Sequence, residues 1–74
     1  MVRNPDFVAL HRAMKAAVEA QESVGWQSPE IEQLSKRILQ GLWVCANNPS
    51  PLPKAITDGL AADMIALESA RGHQ

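Results

Sequence analysis

The chain contains one cysteine, one phenylalanine, two tryptophans and no tyrosine, and its charges nearly cancel. Each shortage removes a class of function. A single thiol, Cys45, closes no internal disulfide. His11 and His73 stand too far apart in sequence to give metal-ligand spacing, so neither a metal nor another cofactor is expected. Gly25, Gly41, Gly59 and Gly72 are isolated, so there is no glycine-rich loop to cradle a phosphate. Seven basic residues against eight acidic ones leave a net charge of −1, which is no electrostatic footprint for DNA or RNA. The longest apolar run, Leu42 to Ala46, is far too short to span a bilayer. Met1-Val2-Arg3-Asn4-Pro5-Asp6 lacks the apolar stretch of a secretory signal. A lone thiol without an export signal fits a reducing cytoplasm.

What is present is helix punctuation. Asn4-Pro5-Asp6 reads as a start, with Asn as N-cap, Pro in the first turn and an acid beside it. Gly25 is a natural stop, and Trp26 could pack against that end. Ser28-Pro29-Glu30 repeats the start signal. Asn47-Asn48-Pro49 ends the second helix, with asparagine suited to a left-handed cap. Ser50-Pro51-Leu52-Pro53 is a stiff connector, because Leu52 precedes a proline and avoids helical angles. Gly72 closes the third helix. No segment alternates with period two, so no strand is expected. The sequence predicts an all-α chain of three helices, about 5–24, 29–46 and 53–71, in one small domain. A domain of 74 residues has a marginal core, and without staples self-association is the expected completion.

The helices differ in their faces. Phe7, Leu10, Met14, Ala17 and Val18 form the bulky stripe of the first. Ile31, Leu34, Ile38, Leu42 and Cys45 form that of the second, widened by Leu39, Trp43 and Val44. Ile56, Leu60, Met64 and Leu67 form that of the third. Nearly opposite the first stripe, Ala9, Ala13, Ala16 and Ala20 step by four, three and four. Ala55, Gly59, Ala62 and Ala66 repeat the step. Such a stripe is either solvent-facing, because alanine is the best helix former, or the seat of another helix that approaches closely; the second reading is expected here.

Asp63 interrupts the apolar face of the third helix. A rim position suits it best, and Arg12, Lys15 or His11 are its candidate partners if it is buried, with Arg12 the favoured pair. Cys45 lies on an apolar stripe with no base placed beside it, so it reads as a small hydrophobe rather than a nucleophile. The segment from Ala17 to Leu39 resembles in outline the helical hairpin of a family of small aspartyl-phosphate phosphatases. That family carries Ser-Gln-Glu-Leu-Asp after the loop. Here the stretch is Ser35-Lys36-Arg37-Ile38-Leu39, which lacks both acids, so the resemblance implies no phosphatase activity.

These readings leave surface rather than chemistry. The expected function is non-enzymatic: a small cytoplasmic adaptor, inhibitor or regulator that binds a larger protein through its helices, as a homodimer. Small helical inhibitors of host proteins are common in phage, and a phage origin suits this reading. The contact residues expected are Ala9, Ala13, Ala16, Ala20, Trp26, Trp43, Val44 and Ile65, since tryptophan is enriched at binding hot spots. The alternatives are a nucleic-acid-associated regulator using Lys36 and Arg37 from each half of a dimer, and a ligand-binding oligomer using Arg12, Lys15 and His11.

Overall fold

A computed structural model describes residues 4–49 and 51–72. His73, Ser50 and the first three residues, on which some of the expectations above fall, lie outside the described residues. Within them the chain is all-α, with α1 at Pro5–Val24, α2 at Pro29–Ala46 and α3 at Lys54–Ala70.

The helix ends follow the expected punctuation with two differences in detail. Ser28 caps α2 as its type predicts, its Oγ accepting from the Ile31 N–H at 3.2 Å. Gly25 stops α1 with φ 102°, a value that side chains resist, while its N–H donates to the Gln21 carbonyl. Asn4, in contrast, makes no side-chain cap bond to α1. Its backbone N–H donates to the Ala46 carbonyl at 3.1 Å, tying the start of α1 to the end of α2. Asn47 does not take the left-handed cap; its φ is −99°. The two asparagines instead work through their side chains. Asn47 Nδ2 donates to the Trp43 carbonyl and Asn48 Nδ2 to the Val44 carbonyl, each a second donor to a carbonyl that also accepts from the Asn47 N–H.

α2 is the middle of a row. The Asn4–Ala46 bond fixes α1 antiparallel to it. Arg37 with Asp63, and Gly41 against Leu60, fix α3 antiparallel on its other side. No Cα of α1 comes within 8 Å of a Cα of α3. The molecule is therefore extended, 37 × 23 × 18 Å, with a radius of gyration of 12.8 Å.

This layout decides which apolar residues are covered. The core is built on α2, from Ile31, Leu34, Ile38, Leu42 and Cys45, joined by Leu60 and Leu67 of α3. α1 packs through Phe7, Met14 and Val18, spaced at one and two helical turns. Three residues expected in the core are not in it. Leu10 is 50% exposed and Met64 49% exposed, and Ala17 is also exposed. They sit on the sides of α1 and α3 that a closed three-helix bundle would press together. In a row they stay partly open.

Gly41 shows how closely α2 and α3 approach. A Cβ there would stand 3.1 Å from Leu60 Cδ1, nearer than ordinary van der Waals contact. Gly59, which shares the small stripe of α3, has nothing within 4 Å of the same point. One glycine makes the seam; the other faces open space.

Candidate protein-docking cleft

The separation of α1 from α3 opens a cleft along α2. It consists of two adjoining hollows, of about 460 and 160 Å³, that share Met14 and Arg71 in their walls. Ile31, Ser35 and Ile38 of α2 line the floor, Ala17 and Gln21 belong to the α1 wall, and Met64 and Leu67 to the α3 wall. The floor is firm, since Ile38 and Ser35 are each only 2% exposed. The walls mix apolar side chains, Met14, Ala17, Met64 and the buried Leu67, with polar Gln21, Glu68 and Arg71.

The reverse side of α2 is polar and clasped. Lys36 and Arg37 project there, away from Ile31 and Ile38 in helical phase. Lys36 Nζ reaches Glu32 at 2.7 Å and, across to α1, Glu22 at 3.1 Å. Arg37 reaches across to α3 and grips Asp63 with two bonds, Nε to Oδ2 at 3.1 Å and Nη2 to Oδ1 at 2.8 Å. Trp26 Nε1 donates to Glu22 at 2.7 Å. That bond, and then the Lys36 ammonium, hold the Glu22 carboxyl below its usual range. Glu32 first and Glu22 second raise Lys36, and Asp63 raises Arg37. All of these groups reach solvent, so each pair adds little stability. Their effect is directional, because they pin the flanking helices on the side away from the cleft.

Within the chain, then, Asp63 pairs with Arg37 and not with Arg12. Asp63 stands beside α2, where the Arg37 guanidinium lies 2.8 Å away, and no Cα of α1 comes within 8 Å of a Cα of α3. The same pairs engage both residues on which the nucleic-acid alternative depends. Arg12 and Lys15 are exposed and line none of these hollows. His11 stacks on Trp43, with ring centroids 5.3 Å apart and planes tilted by 51°.

The expected contact residues do not form one site. Ala9, Ala13, Ala16 and Ala20 are exposed in a stripe on α1, and only Ala20 lines the cleft. Trp26 closes one end of the larger hollow. Trp43, 51% exposed, covers the α1–α2 seam beside His11. Val44 lies at the α2–α3 seam with Ala55 and Gly59. Ile65, 70% exposed, points outward from α3. The residues that do line the cleft, Met14, Ile38, Met64 and Leu67, carry a signal in the sequence, but as core residues. Ile38 and Leu67 are indeed buried, and the gap between α1 and α3 leaves Met14 and Met64 partly open at the surface.

The chemistry of the chain is sparse. Cys45 is 0% exposed, and burial pushes its thiol up, against thiolate formation. Among the described residues no group of three or more His, Cys, Asp or Glu could hold a metal ion. No helix of the described residues is long and apolar enough to cross a membrane. Compared with known proteins, the chain matches no family model, no curated protein and no solved structure.

Proposed function

We propose that this chain is a small non-enzymatic adaptor, inhibitor or regulator that acts by docking a protein helix in the cleft between α1 and α3. The observation that carries the reading is the cleft itself. Ile31 and Ile38 give it a buried apolar floor, and Met14 and Met64 stand in its walls, Met64 being about half covered. Helix-in-groove binding uses this kind of surface, with anchor side chains one and two turns apart. A buried unpaired thiol is at home in a reducing compartment, which supports a cytoplasmic setting.

The test compares the proteins retained from a lysate by the tagged wild-type chain and by its Met64→Glu variant, identified by mass spectrometry. At least one protein held by the wild type should be lost with the variant; untagged copies of the same chain count among them. Identical sets from the two baits would remove the cleft from the function.

A further inference from the structure

The geometry points to a second copy of this chain as the occupant of the cleft, so that two open rows of helices close on each other; the inference rests on the reading of the cleft as a protein-docking surface. The first argument is area. The chain exposes 5169 Å². A compact monomer of 8.1 kDa exposes ~4,500 Å², so the surplus is roughly 700 Å². A standard interface removes about 800 Å² from each partner. The radius of gyration tells the same story, 12.8 Å against the ~11.3 Å of a compact chain of this length.

The second argument is charge. A two-fold interface sets the same patch against itself, so the patch must contain its own counter-charges. The cleft does. Its walls carry one acid and one base, Glu68 on α3 and Arg71 at its C-terminal cap. The α1 side carries none: Met14, Ala17, Ala20 and Gln21 line it, and Leu10 lies one turn from Met14. A patch with a surplus of one sign would call for a partner of the other sign. This one is balanced within a single copy, and depletion of charge at the core is the compositional mark of a protein interface.

Sedimentation equilibrium of the whole chain and four variants tests the inference, with helical circular dichroism as the check on folding. The wild type should sediment at twice 8.1 kDa. Met64→Glu should be helical and monomeric. Glu68→Arg gives the patch two positive charges and Arg71→Glu two negative ones, so each alone should be monomeric. Mixed in equal amounts they should dimerise again, because their patches are now opposite; the mixture should bind at least about tenfold more tightly than either variant binds itself. Ala16→Glu, on the face of α1 turned away from α2, should keep the wild-type mass. The inference is overturned by a monomeric wild type, by Met64→Glu at wild-type mass, or by a mixture of the charge variants that stays monomeric. It is likewise overturned if Ala16→Glu alone dissociates the pair, which would move the interface to the alanine stripe. A monomeric wild type that still retains a different protein through Met64 would end the self-docking inference while leaving the cleft a docking surface.

Discussion

The two sides of α2 are built from adjacent residues and do opposite things. Lys36 and Arg37 face one way and reach out to both neighbouring helices. Ile38, the next residue, faces the other way and is buried at the bottom of a cleft whose walls do not meet. Polar clasps therefore hold the back of the molecule together, and the apolar front stays open. Ion pairs at a surface cannot drive folding, because solvent screens them. Burial around α2 does that, and the clasps set the direction in which the row of helices opens.

The contrast can be broken at several points. The largest effect belongs to the core on α2: Leu42→Ala, at a residue 4% exposed, should cost about 2–4 kcal/mol in denaturant unfolding. Leu10→Ala, on the open side, should cost under about 1 kcal/mol when measured in dilute monomer. Equal costs at the two sites would mean that Leu10 is covered in the monomer. Cys45→Ala comes next, at about 1–2 kcal/mol for a small side chain with no exposed surface. Its thiol should label slowly with a thiol reagent in the native state, and fast labelling would place it outside the core.

The smallest effect tests the back. Glu22 has its folded pKa depressed, by Trp26 first and by Lys36 second. A depressed carboxylate contributes stability that is fully present above its ordinary range and is lost as pH falls through the folded value. Acid titration of the melting temperature should therefore show a shallow loss in that window for the wild type, and less of it for Glu22→Gln. Identical acid profiles would detach Glu22 from the clasp.

Much of this architecture is legible in the sequence. Proline and glycine at the helix ends place all three helices to within a residue or so, because their backbone restrictions are local. The i, i+3, i+4 rows likewise pick out Ile31, Leu34, Ile38 and Leu42 as core. What the sequence does not carry is which helices meet. Leu10, Ala17 and Met64 have the periodicity of core residues, and it takes the α1–α3 gap to leave them exposed, Ala17 and Met64 in the cleft walls. Asp63 illustrates the same limit. Its need for a cation is visible in the sequence, but the choice of Arg37 over Arg12 follows from α3 packing on α2 alone. The alanine stripe is equally legible as a stripe. In the single chain it is exposed, as a solvent-facing stripe and an interface stripe both would be.

The row arrangement also shapes how the chain folds. Each helix packs only against its neighbour in sequence, so tertiary contacts close within the α1–α2 and α2–α3 hairpins and none waits for the two ends of the chain to meet. Such low contact order goes with fast folding. It also makes the molecule a nearest-neighbour array, in which either outer helix can open without the other. Amides of α2 should then exchange with solvent slowest of all, and those of α1 and α3 should exchange as two independent units. A single cooperative unit spanning α1 and α3 in native-state exchange of dilute monomer would contradict this. For so short a chain, the order of the helices along the sequence is also the order of its energetic coupling, with α2 as the one element that the other two share.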